Sequence, residues 1–179
     1  MRPAQIIGAT ISALIFTSAI ADKLPMYTES TGELFIPIAD SNSLPGYFQE
    51  VRLTPVGENL WALNEFKAGK SLDVIEAVEL IRIDSSPVQI LLKISGTFPS
   101  GCGEIGYIRE HNSDNHFDIT VFYKNDAWLE NPGEIACTAA LRPFSKIIPL
   151  QVYGLDQGEY QYTVNSNFLG SFTLTSKNI

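Results

Sequence analysis

The sequence predicts an all-β protein: an Ig-like antiparallel β-sandwich with a β-meander extension on its N-terminal side. Three observations lead there. No stretch after the first 21 residues sustains a 3.6-residue apolar period. The apolar runs are short and rich in Val, Ile, Tyr, Phe and Thr, and Gly, Pro, Asn, Asp and Ser interrupt them at sandwich-like intervals. Branched and aromatic side chains fit a pleated, half-buried surface, while the interrupting residues supply turn conformations.

The chain begins with Arg2, an apolar run from Ile6 to Ile20 and the small-x-small triplet Ala19, Ile20, Ala21. This is the layout of a signal peptide over 1–21, with Asp22 as the first mature residue. The run is short for a membrane span of about 20 residues and is interrupted by Thr10, Ser12, Thr17 and Ser18. Cleavage therefore leaves no integral membrane segment. No cysteine follows the triplet, so the expected product is soluble and periplasmic or extracellular rather than lipid-anchored. Of 12 basic side chains, loss of Arg2 leaves 11 against 20 acidic ones, a net charge of -9. Such an acidic chain is not suited to a nucleic-acid partner or to electrostatic attachment to anionic lipid.

The mature chain divides into a front part, 22–71, and a back part, 72–179, with the polar, glycine-containing stretch 66–73 as linker or long connection. In the front part, strands are expected at 34–38, 47–55 and 60–63, with turns at 42–46 and 57–59. Pro37 lacks an N–H and marks its strand as an edge. Such a meander has one apolar face that must pack against the back domain or a partner. In the back part, strands are expected at 74–83, 88–97, 117–123, 134–141, 147–152, 159–164 and 169–175. The last two alternate most clearly: Tyr160, Tyr162 and Val164 share a face, and so do Phe172 and Leu174. With Asn165, Ser166 and Asn167 as the turn, they form a hairpin.

Two cysteines, Cys102 and Cys137, in an exported chain predict one disulfide, and closing a loop of that length stabilises by about 3 to 4 kcal/mol. Cys102 sits in a Pro-Ser-Gly-Cys-Gly loop, so the bridge is expected to pin a loop to the strand at 134–141 rather than to cross between sheets. The densest polar cluster, 110–118, contains the only histidines, His111 and His116, with Glu110, Asp114 and Asp118. In a strand His116 and Asp118 point to the same side, which makes His111, His116 and Asp118 candidate ligands for zinc or calcium. The spacing fits no structural zinc pattern or calcium loop, however, and a solvated hairpin turn is the preferred reading, with neither metal nor cofactor. There is no G-x-S-x-G nucleophile elbow and no phosphate cradle, and with 20 acidic residues carboxylate pairs arise freely. Aromatic residues are the better binding candidates. Trp61, Tyr123 and Trp128 are singled out, with Trp128 in the turn-like loop 124–133, and Tyr47, Phe48, Tyr107 and Phe122 accompany them.

Further features tie the back part to a known pattern: Pro87-Val88, Gly96, Phe98, Pro99, Cys102, Cys137, Pro143-Phe144, Gly154-Leu155, Gly158, Tyr160, Val164 and Asn165. Over roughly 72–174 the chain resembles a family of secreted or lipid-anchored bacterial β-sandwich domains of uncharacterised function. Tyr162 departs from the pattern, which has valine there. The resemblance implies a sandwich and supplies no active-site residues. Gly154 and Gly158 bracket a turn before Tyr160, as in the tyrosine corner of Ig-like sandwiches. The leading functional expectation is a non-enzymatic binding or structural protein that recognises a protein or cell-envelope component through its loops. The alternatives are a carbohydrate-binding module using exposed aromatics on a glycan, and a metal-assisted hydrolase using His111 and His116.

Overall fold

The computed structural model describes residues 24–41, 43–124 and 136–179. The leader expected at 1–21 and Trp128 with nearly all of its loop lie outside the described residues. The strands are β1 (Met26–Thr28), β2 (Glu33–Ala39), β3 (Phe48–Gly57), β4 (Leu60–Ala68), β5 (Ile75–Ile83), β6 (Gln89–Phe98), β7 (Ile105–Ser113), β8 (His116–Tyr123), β9 (Arg142–Pro149), β10 (Gly158–Val164) and β11 (Phe168–Leu174). They form three sheets, ordered β1-β2-β3-β4, β5-β6-β9 and β11-β10-β8-β7.

The first sheet is the expected meander. Its register aligns Tyr27, Leu34, Leu53 and Leu63 in one row across the four strands, with Pro55 opposite Trp61 on the same face. On the reverse face the Arg52 guanidinium lies 5.2 Å from the Phe35 ring centre and pairs with Glu33 and Glu65. The Tyr27 and Trp61 rings come from the two outer strands yet meet edge to face at 6.5 Å, so the sheet curls over its apolar side. Pro37 lies in a strand flanked on both sides, but β1 pairs only as far as Phe35. Beyond that point β2 is an edge, and a missing N–H costs nothing there.

The other two sheets pack face to face as a β-sandwich. Alternation along β6 and β8 sends Ile90, Leu92, Ile94 and Phe98 from one side, and Phe117, Ile119, Val121 and Tyr123 from the other, into one core. Each such side chain stabilises the fold by about 1.5 to 3 kcal/mol. The β10–β11 hairpin adds Tyr160, Val164, Phe172 and Leu174, with Tyr160 stacked on Phe172 at 5.5 Å. Its turn is the predicted one, with Asn165 and Ser166 both at positive φ. The Tyr160 hydroxyl donates to the Asp156 carbonyl at 2.9 Å, the bond of a tyrosine corner. One pairing departs from the fully antiparallel expectation: β10 lies beside β8 in parallel, from Gln161 opposite His116 to Val164 opposite Ile119. An Ig-like sheet puts the penultimate strand next to the first strand of the preceding hairpin; here it takes the second, and β7 moves to the sheet edge.

Several boundaries shift. Residues 136–141 carry no strand, and β9 starts at Arg142, opposite Phe98. Its partner β6 stops before Pro99, which has no N–H to donate, so the residues before Arg142 have no ladder to join. β9 is an edge strand, which is why it tolerates Pro143 and Pro149 and ends earlier than the expected 147–152. β7 and β1 were not foreseen, because the solvent-facing half of β7 reads as a polar turn and β1 is three exposed residues. The predicted connection 66–73 is partly strand: β4 runs through Ala68. Beyond it, the Tyr123 N–H donates to the Lys70 carbonyl at 2.9 Å and the Leu72 N–H to the Val121 carbonyl at 2.8 Å, while Leu72 is 1% exposed. The connection thus extends the sheet along β8 where β10 leaves off. The Asn165 side chain seals that join, accepting from Val121 N–H and donating to the Leu72 and Val121 carbonyls.

Candidate functional site

Cys102, in the turn after β6, and Cys137, in the extended segment before β9, form the predicted disulfide with Cα atoms 5.5 Å apart. Gly101 N–H donates to Thr138 O at 3.0 Å beside it. The bridge therefore staples the continuations of two neighbouring strands of one sheet. It joins loop to loop, since the strand expected around Cys137 is absent from 136–141.

The 110–118 cluster is a hairpin, as preferred. Ser113 pairs with His116 across the two-residue turn Asp114-Asn115, with Asp114 at φ +53. His111 is exposed, and His111 opposes Asp118 on the outward face, which His116 shares. Their polar atoms diverge: His116 Nε2 lies 2.9 Å from Thr163 Oγ1 on β10, while Asp118 accepts from Arg109 on β7 at 2.9 Å. Among the described residues no group of three His, Cys, Asp or Glu side chains is placed to hold a metal ion. A shallow polar pocket of about 400 Å³ surrounds the hairpin tip, lined by Ser113, Asp114, Asn115, His116, Glu159 and Gln161.

Of the aromatic candidates, Tyr123 is placed in the core. It is 2% exposed and its hydroxyl donates to Asp73 at 2.7 Å, so its ring faces the opposite sheet and offers no surface for stacking a ligand. Burial, reinforced by Asp73, raises its pKa well above the ordinary tyrosine value. Phe122, on the outward face, is covered too, at 2% exposure. Gly46 lies over its ring at φ +67, where a Cβ would sit 2.6 Å from a ring carbon. Glycine is required there both for the left-handed backbone and for the close approach. Trp61, 45% exposed, stays accessible next to Tyr27.

The most organised polar group was not foreseen. Arg109, 9% exposed on edge strand β7, donates through Nε to both oxygens of Asp40, at 2.6 and 2.8 Å, and through a terminal nitrogen to Asp118. Asp40 also accepts the Gly46 N–H at 2.9 Å, so one carboxylate shapes the 40–46 loop and clamps the meander to the sandwich. Burial alone would lower the Arg109 pKa, but the bonds and charges of Asp40 and then Asp118 outweigh it and raise the pKa. Beside this clamp an open cleft of about 340 Å³ lies between β2 and β7, lined by Pro37, Ile38, Asp40, Tyr107, Ile108, Arg109 and Glu110. In sequence the only hint was a lone arginine in an alternating stretch, since its partner lies 69 positions away.

Residues 92–174, from β6 through β11, match a family described as the ORF11 beta-sandwich domain. No curated relative and no solved structure matches the chain. The protein is thus an all-β chain carrying a β-sandwich domain similar to one of uncharacterised function. Among the described residues no helix is long and apolar enough to cross a membrane.

Proposed function

We propose that this chain is an exported, non-enzymatic binding or structural protein that recognises a protein or cell-envelope component, in the periplasm or outside the cell. The cleft between β2 and β7 carries this reading. Pro37, Ile38, Tyr107 and Ile108 give it apolar walls, and Asp40 and Arg109, bonded to each other, give it a fixed polar landmark. Apolar walls with a few fixed polar groups are how binding clefts orient a ligand, and they stand on two sheets already tied together. A photoreactive side chain at Ile38, in the full chain exported to a bacterial periplasm, tests it. The expected result is a discrete adduct at Ile38 and none from Ile147 on the far sheet; adducts from neither or equally from both would refute it.

A glycan reading draws support from the exposed Tyr27 and Trp61 rings, 60% and 45% accessible. Their planes stand at 81°, which makes a corner rather than a flat platform for a sugar ring. Titration of cell-wall glycan fragments, followed by Trp fluorescence, with Trp61→Ala as the control, would favour this reading only if binding is seen and lost in the variant.

A further inference from the structure

We propose that the cleft between β2 and β7 takes an apolar polypeptide segment free of acidic side chains and binds one of its main-chain carbonyls through Arg109. This inference rests on the reading of the cleft as a binding site and names its occupant. A guanidinium carries N–H donors on each of its nitrogens. Arg109 donates through Nε to Asp40 and through one terminal nitrogen to Asp118, while its other terminal nitrogen bonds no described residue. Among the described residues no buried side-chain nitrogen lacks a partner, so this nitrogen is open to solvent, and Arg109 lines the cleft. The two carboxylates hold the guanidinium in one orientation, so the remaining donor is fixed in place before a ligand arrives.

Donor, walls and charge together select the occupant. Three carboxylates, Asp40, Glu110 and Asp118, stand against the one guanidinium, which leaves two negative charges at the cleft of a chain whose net charge is -8. An anionic ligand, whether an acidic segment or a phospholipid headgroup, is repelled there. An acyl chain would match Pro37, Ile38 and Ile108 but would leave the Arg109 donor cut off from water without an acceptor. A polyol would satisfy that donor but set its other hydroxyls against the apolar walls. A polypeptide offers both, an uncharged carbonyl at every residue and apolar side chains beside it.

Digestion and mass spectrometry of the adduct formed by the photoreactive side chain at Ile38 test it. The expected partner is an apolar peptide without Asp or Glu. That segment, made with capped ends and titrated by calorimetry into the exported full chain, should bind about tenfold more weakly once a central residue is changed to Glu. Glu110→Gln removes one charge and keeps an acceptor for the Gln151 N–H, and it should narrow this gap severalfold, whereas Glu76→Gln on the far sheet should leave it unchanged. Thermal unfolding identifies a variant that misfolds, and Asp118→Asn then takes the place of Glu110→Gln. An adduct with a glycan, a lipid or an acidic segment overturns this inference and leaves the cleft as a binding site, while the absence of an Ile38 adduct removes both. A capped peptide indifferent to the Glu change, or a gap indifferent to the folded charge variant, also overturns it.

Discussion

Arg109 is held by two carboxylates that are themselves about half and one third exposed, so the buried partner has most to lose when the group is broken. Asp40→Ala removes two bonds to a buried cation and releases the Gly46 N–H. We expect a loss of about 1 to 3 kcal/mol in urea unfolding, strongly coupled to Arg109→Met in a double-mutant cycle. Asn178 has a comparable role near the end of the chain. Its side chain accepts from the Val88 N–H and donates to the Val88 and Val152 carbonyls, and it is 4% exposed. Asn178→Ala strands three backbone groups and is expected to cost about 2 to 4 kcal/mol in the same measurement. Tyrosine chemistry sets an alkaline limit. Burial raises the pKa of both Tyr123 and Tyr162 in the folded state, so each favours the fold while protonated. This contribution is complete below the unfolded value of about 10 and is lost as pH rises toward the folded values. Stability should therefore fall above about pH 10, and Tyr123→Phe with Tyr162→Phe should flatten that fall; an unchanged slope would count against it.

At the scale of strands and their pairs, Tyr162 shows how a departure from a sequence pattern is accommodated. Where the resembled pattern has valine, the larger ring lies over Gly170, its direct partner on β11, and a Cβ on Gly170 would overlap the ring. Gly170→Ala is expected to cost about 1 to 3 kcal/mol by overpacking, and Tyr162→Val in the same chain should recover part of it, as read by thermal unfolding. Hairpins were readable in sequence wherever the turn residues were explicit: Asn165 to Asn167 between β10 and β11, and Asp114-Asn115 between β7 and β8. Edge strands were readable where apolar residues recur along them, as in β5 and β11, but not where polar residues or prolines dominate. β7, β9 and the second half of β4 face water on one or both sides, so their polar residues and prolines imitate loops. The rule that prolines avoid ladders applies to central strands, and sequence alone does not say which strand is at an edge.

For the whole molecule, the decisive feature is the segment between meander and sandwich. Lys70 and Leu72 bond to β8, and the Leu72 side chain is in the sandwich core. A chain shortened to begin at Lys70 should still unfold cooperatively in denaturant, though less stably because Phe122 and Arg109 lose their cover. One that begins at Ile75 should lose cooperativity. Equal behaviour of the two would show that this short added strand contributes little. The candidate site was the least legible part. The histidine cluster stands out in the sequence because its residues lie close together there, yet their side chains turn to different strands. The Arg109 clamp has no such local signature, because Asp40 and Asp118 approach from two sheets.

The sequence by itself determined the all-β class, the core-facing alternation of the last hairpin and the Cys102–Cys137 bridge, since these depend on side-chain period, turn chemistry and a count of two cysteines. Only the tertiary structure decided that β10 lies parallel to β8, that Tyr123 faces inward and that β2 and β7 enclose a cleft. The physical reason is range: period and turns act over a few residues, whereas sheet order, the covering of a face and the meeting of Arg109 with Asp40 depend on packing between segments far apart in the chain.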